Sequence, residues 1–456
     1  ETSNINDDQV SNIKQEITKE NQLQNNTSSK IPEEKKKKLF NFDLSSLKNL
    51  SSLKDKLSFK KDNLENKNDK KDKNNLSKFK KLFSEKISKA NVAGEEIAGI
   101  DIGEDSIKIA QLSKKENDWI LEKISLRLLD KNKTADGIIN AKDYVSEELK
   151  LGMANAKVST TNVAISIPVT SAIIRVVTSP LMSDDELQKA IETDSLWENL
   201  VQLTDDLNEY SIFHQVISRN NKTNTMEILF VASKLSDVNA YSSIVKKAGL
   251  NPVILDVKCF TLKNAFDNSF KIENKANNAL LEIGSEDNYL IIVHDNIPII
   301  TDIFLRPNEK DLLGQFDGNI QNTDTESVVR RYCMQLKQAL SDYESKYSSK
   351  INNIKIVSSL ANIEELIPLF KKNLLNTGLQ VFDPLNELQI PAYNQEKTNL
   401  RNRSIYTSVL GLAYRKLDVF GYYKFVTAVK NINLLPNREA LKRQSKLKFL
   451  SGFAMK

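Results

Sequence analysis

Three short stretches carry side chains whose types and spacing suit particular chemistry. In Asp101-Ile102-Gly103-Glu104-Asp105 a carboxylate stands two positions before a glycine. An aspartate at the tip of a hairpin can hold a metal-bound phosphate, while the glycine lets the backbone bend sharply and leaves its amides open to a ligand. Glu282-Ile283-Gly284 repeats the form farther along. The plainer reading of each is an ordinary hairpin with a polar turn. Ile432-Asn433-Leu434-Leu435-Pro436, followed by Arg438, offers peptide chemistry instead. Its three apolar side chains form an extended strip that a groove can bury, and Pro436 stiffens it. The plainer reading there is a final edge strand followed by a basic helix.

The acidic turns need strands to hold them. Ile97 to Ile102 is an almost unbroken apolar run, as in a strand buried on both faces. Ser106 to Leu112 returns beside it, and Asp118 to Leu129 alternates as a third strand. Ala141 to Ala154 reads as a helix, and Asn162 to Pro168 and Ser171 to Val177 as strands. Ser183-Asp184-Asp185-Glu186 is a capping box. Tyr210 to Ile217 and Met226 to Ala232 pair as strands. Leu235 to Lys247 is a helix stopped by Gly249 and Pro252, before a strand at Val253 to Val257 and a helix at Phe260 to Phe266. Ala279 to Gly284 then begins the pattern again, with returning strands at Asn288 to Val293 and Pro298 to Phe304. Helix follows at Ser327 to Tyr347, strand at Ile354 to Val357, and helix at Ile363 to Leu374 and Arg403 to Leu417. This internal duplication implies two α/β lobes facing one cleft, with both acidic turns pointing into it.

The 456 residues suffice for a large core. Lys+Arg 65 against Asp+Glu 60 gives only +5, which does not suggest a nucleic-acid partner. The excess lysine sits near the two ends. Cys259 and Cys333 lie far apart, so no disulfide framework is expected and a reducing compartment is favoured. His214 and His294 are isolated, and no Cys/His cluster has metal-ligand spacing. No secretory signal and no run of about 18 apolar residues is present, so the chain reads as soluble and cytoplasmic.

Residues 1–93 are a separate, lysine-rich segment. Its beginning has too few apolar groups for a core and is expected to be disordered. Phe40, Leu44, Leu47, Leu50, Leu53 and Leu57 then recur at helical spacing among lysines, as do Leu76, Phe79, Phe83 and Ile87. Both stretches suit basic amphipathic helices on an anionic membrane surface, or a solvated, partly helical linker.

Gly99-Ile100-Asp101-Ile102-Gly103 with Ser106-Ile107-Lys108, then Val163 to Pro168 with Ser183 to Ile191, resemble the PilM family of actin-like type IV pilus assembly proteins, relatives of FtsA. Ile228 to Leu255, with its turn Lys247 to Pro252, and Leu410 to Arg415 extend the resemblance over about residues 95–417. It implies an α/β, actin-like ATPase fold (ribonuclease H-like and duplicated) over 94–418. An extra small subdomain is expected near 161–235 and the second lobe near 271–400. It also implies ATP and Mg²⁺ between the lobes, held by Asp101, Gly103, Ser106 and Lys108 from one hairpin and Glu282, Gly284 and Ser285 from the other, with Asp101 acting through the metal. A Gly-Gly turn receives the adenosine in this family, and here that turn is Ser358-Ser359. The hairpins depart too: Glu104-Asp105 replaces the usual small residues, Glu282 replaces Asp, and Glu286-Asp287 follows. A carboxylate about 6 Å from a phosphate charge costs roughly 2–3 kcal/mol at an effective dielectric of about 20. Weak or absent ATP turnover is therefore expected, and no general base stands out.

Residues 419–456 resemble the cytoplasmic N-terminus of PilN, whose Ile-Asn-Leu-Leu-Pro peptide docks on PilM. The partner-tail motif is Ile432, Asn433, Leu434, Leu435, Pro436 and Arg438, with Lys442, Arg443, Lys446 and Lys448 as a juxtamembrane-type basic run. The expected function is a cytoplasmic scaffold, peripheral to the inner membrane, that holds the PilN tail and links pilus membrane components to the assembly motor. An active ATPase and an FtsA-like membrane filament are the alternatives.

Overall fold

The computed structural model describes residues 96–417 and 431–444, apart from 117, 159, 194, 202, 270–276, 296, 320–321 and 441–442. β1 (Ala98–Ile102), β2 (Ser106–Lys115) and β3 (Asp118–Leu128) form an antiparallel run. Helix α1 (Lys142–Ala156) leads to β4 (Asn162–Ile167), which pairs parallel with β1 on its other side. β1 is thus interior, which is why all five of its residues are buried and its sequence is apolar without alternation.

The chain then leaves the large sheet. β5 (Ile173–Pro180), α2 (Asp184–Glu192), α3 (Ser195–Leu200), β6 (Tyr210–Asn220) and β7 (Thr225–Lys234) build a small sheet in the order β5-β7-β6. Its own core centres on Trp197, Phe230 and Ile228. Ser183 and Glu186 cap α2 reciprocally. α4 (Leu235–Lys247) and β8 (Asn251–Val257) bring the chain back, and β8 pairs parallel with β4. Asn162–Ile167 belongs to the large sheet, so the small sheet begins only at Ile173.

α5 (Lys258–Ser269) precedes the second lobe. There β9 (Asn278–Ile283), β10 (Asn288–His294) and β11 (Ile297–Asp302) repeat the antiparallel run. α6 (Pro307–Gly314) and α7 (Thr323–Tyr347) cross to β12 (Asn353–Ser358), which is parallel to β9 as β4 is to β1. α8 (Ile363–Asn373) and β13 (Gly378–Val381) complete the sheet β11-β10-β9-β12-β13. One apolar core lies around Ile100, Ile109 and Val257 and takes in Leu280, Tyr289 and Ile291 from the second sheet, and another lies around Leu281, Val329 and Ile356.

The second sheet ends at Val381, well before residue 400. β14 (Leu388–Gln389) already lies beside β3 in the first sheet, and α9 (Ala392–Thr398) packs there through Asn394, whose Nδ2 donates to Leu121 O at 2.7 Å. The helix expected from Arg403 to Leu417 is shorter. A 3-10 turn at Arg403–Tyr406 leads into α10 (Thr407–Ala413). α10 sits against β1 and α5 through two glycines. A Cβ on Gly99 would stand 2.4 Å from Val409 O, and one on Gly411 would stand 1.8 Å from Thr261 O. Only glycine admits these approaches.

Among the described residues no helix is long and apolar enough to cross a membrane. Cys259 and Cys333 are free and buried. The expectations for residues 1–93, for the aromatic segment 419–426 and for the basic end beyond residue 444 fall outside the described residues.

Candidate functional site

The two acidic turns meet. Asp101, near the end of β1, is buried; its Oδ2 lies 3.3 Å from Lys108 Nζ and its Oδ1 accepts from Ser408 Oγ at 3.1 Å. Lys108 is its cross-strand partner on β2, and Ser408 comes from α10. Burial works against the Asp101 charge, but Lys108, Lys258 and Ser408 together hold its carboxyl below the usual range. Glu282, at the matching place on β9, accepts from Lys258 Nζ at 2.7 Å and from Tyr289 Oη at 2.6 Å. Burial pushes its carboxyl up despite these partners.

Lys258 is the first residue of α5, where the helix dipole disfavours a cation. Its surroundings explain the placement. Burial opposes its charge, yet Glu282, Glu286, Asp287 and Asp101 outweigh that and hold its pKa well above an ordinary lysine's. Glu286, from the second turn, reaches across and accepts the Glu104 N–H of the first turn. Lys310 Nζ donates to Ser285 O at 2.7 Å and Glu286 O at 3.0 Å, fixing the second turn in place.

Asp101, Gly103, Lys108, Gly284, Ser285 and Ser359 line one cleft. The space within it is about 30 Å³, room for one or two waters. Small-molecule sites are roughly 300–1,000 Å³. Three expected contacts lie elsewhere. Ser106 Oγ donates to Asp105 Oδ1 at 2.7 Å and Ser106 O accepts the Gly103 N–H at 2.9 Å, so Ser106 shapes the turn. Ser358 is buried and donates from Oγ to Ile283 O at 2.6 Å, tying β12 to β9; only Ser359 faces the cleft. The Glu282 side chain lies beneath the cleft against Lys258 and Tyr289. Both Asp101 oxygens already have partners, and among the described residues no group of three or more His, Cys, Asp or Glu could hold a metal.

The apolar strip occupies a different place. Ile432, Leu434 and Leu435 are 1%, 0% and 3% exposed and join the first lobe's main core. β8 is the last strand of its sheet, so its outer backbone groups need partners. Asn433 supplies two: its Nδ2 donates to Val253 O at 3.0 Å and its Oδ1 accepts the Leu255 N–H at 3.1 Å. The Leu434 N–H donates to Leu255 O at 2.8 Å. The strip therefore extends the sheet edge, with a side-chain carboxamide standing in for a peptide group. On the far side lies β6, the edge of the small sheet. Ser211 Oγ donates to Leu434 O at 2.5 Å, and Arg438 Nη2 donates to Ile212 O at 2.7 Å.

Arg415 closes one end. Its guanidinium pairs with the fully buried Asp256 of β8, and Nη2 donates to Ile432 O at 2.6 Å and Asn431 Oδ1 at 3.2 Å. Burial pushes the Asp256 carboxyl up to about 6, against the pull of Arg415 and the Val257 N–H. Sequence reasoning missed Lys258, Asp256 and Ser211, and it met Glu286 only as a departure of the second turn and Arg415 only as the end of a family motif. Lys258 left a signal of its own, a cation at a helix start directly after an apolar strand.

Two lobes, each an antiparallel run flanked by a parallel strand and closing on a shared cleft, with a small sheet set into the first, define an actin-like ATPase fold. Residues 99–340 match the family model described as type IV pilus assembly protein PilM, over half of the chain, so the chain belongs to that family. A solved structure, the PilM-PilN type IV pilus biogenesis complex, superposes with a TM-score of 0.58 at 16% identity, covering 70% of this chain and 98% of that one. The cytoplasmic domain of EpsL from the Vibrio cholerae type II secretion system aligns at 0.35 and 10% identity, over 75% and 98% of the two chains. The ethanolamine utilization protein EutJ from Carboxydothermus hydrogenoformans aligns at 0.37 and 11%, over 69% and 88%. No curated protein sequence matches.

Proposed function

We propose that this chain is a cytoplasmic scaffold of type IV pilus assembly, at the inner membrane, whose groove between β8 and β6 receives an Ile-Asn-Leu-Leu-Pro segment. Here residues 432–436 of the same chain fill that groove. The observation that carries the reading is Asn433, whose one carboxamide serves both Val253 O and Leu255 N–H on the sheet edge. The likeness to the PilM-PilN complex supports it, since that PilM is captured with a PilN partner. In this reading the PilN tail is the natural ligand class, and the chain's own tail takes its place or competes with it.

The energetics allow it. Three buried apolar anchors contribute about 1.5–3 kcal/mol each, against about 1–2 kcal/mol for ordering each residue's backbone. Hydrogen bonds to an otherwise unpaired strand edge add about 1 kcal/mol each. Attachment to the same chain raises the effective concentration to roughly millimolar. Arg415, 17 positions before Ile432, donates to Ile432 O, which supports docking within one chain.

Limited proteolysis tests the reading. Ile432→Asp with Leu435→Asp should expose residues 431–439 to cleavage while the body stays intact. Unchanged protection of that stretch in the double variant would count against it.

A further inference from the structure

The interlobe cleft holds a charge arrangement that the tail does not use. An actin-like cleft presents backbone amides at one turn, which suit an anion, and strand-end acids, which suit a cation between them. In this chain both positions are filled from within. The Glu286 carboxylate takes the Glu104 N–H, and a Cβ placed on Gly103 would meet Glu286 Oε1 at 3.0 Å, so the carboxylate lies directly over the turn. The Lys258 ammonium sits 2.7 Å from Glu282 and 3.8 Å from Asp287, and also faces Asp101.

We propose that Glu286 and Lys258 are built-in stand-ins for the anion and cation of a metal–phosphate ligand, latching the two lobes together without nucleotide. The bond from Glu104 to Glu286 joins residues 182 positions apart and belongs to both lobes at once. An N–H donating to a carboxylate is among the stronger hydrogen bonds, and an ammonium between acids needs no exogenous ion. The space beside these groups is about 30 Å³, against roughly 300–1,000 Å³ for small-molecule sites. The acids at the turns (Asp101, Glu104, Asp105, Glu282, Glu286 and Asp287) would also repel one. Lobe closure is then a fixed property of the chain, and any control of tail docking comes through the groove.

Hydrogen exchange of the full chain, read by mass spectrometry on peptides covering residues 99–109, tests this. The wild-type turn should be protected without ligand, and saturating Mg-ATP should leave it unchanged. Glu286→Gly should speed exchange about tenfold, while Glu286→Gln, which keeps an acceptor oxygen but loses the charge, should fall between that variant and wild type. Slowing of the wild-type turn by Mg-ATP overturns the proposal whatever the variants do, as does exchange in Glu286→Gly that matches wild type. Protection at residues 431–439, followed in the same digest, reports the tail separately, so loss of one reading is distinguishable from loss of the other.

Discussion

Asn433 is the residue on which tail recognition turns. A carboxamide presents donor and acceptor side by side, and β8 offers an acceptor and a donor to match, Val253 O and Leu255 N, while Asn433 Oδ1 also accepts the Leu435 N–H. Asn433→Asp keeps the bond to Leu255 N–H but sets a charged oxygen against Val253 O. It should weaken docking by about 1–3 kcal/mol, as should Asn433→Leu, since each strands a buried polar group. The rate of proteolysis within 431–439 checks both. Asp256 gives a pH dependence. Its carboxyl is raised from 3.8 to about 6, so the folded chain holds a proton that the unfolded chain releases in that window. This group's contribution is fully present below about pH 4 and is lost as pH rises through about 6. Thermal unfolding should therefore show wild type losing ground to Asp256→Asn across that interval. A pH-independent gap between the two would contradict the assignment.

At the scale of elements, what can be read from sequence depends on how far a residue's partner lies. Helix α4 is legible because its apolar spacing and its Gly249 stop are local, and the structure places it at Leu235–Lys247. The hairpin β1–β2 is legible for the same reason. β14 has two residues and no period to detect. Ser358 and Ser359 look alike as neighbours, yet Ser404 and Asn402, more than 40 positions on, bond the Ser358 backbone, while Ser359 alone lines the cleft. Lys258 needed knowledge of four distant acids. The apolar strip was visible, but its berth was not, because a free edge on β8 exists only once strand order is known. α10 depends on close approach in the same way. Gly411→Ala would drive a Cβ into Thr261 O and should destabilise the chain by about 1–3 kcal/mol in urea unfolding. It should also displace Ser408 from Asp101.

At the scale of the molecule, duplication explains the architecture. Each lobe repeats an antiparallel run beside a parallel strand, and the repeat brings two acidic turns to one cleft. The tail uses a different feature, the pair of open edges on β8 and β6, and so joins the large sheet to the small one. A groove filled by its own chain should refuse a second copy of the same peptide. Calorimetric titration of the peptide Asn-Ile-Asn-Leu-Leu-Pro-Asn-Arg into wild type and into the Ile432→Asp, Leu435→Asp variant tests this most directly. Binding to the variant at least tenfold tighter than to wild type is the predicted result. Equal binding to both, or binding to neither, would contradict the assignment of the groove.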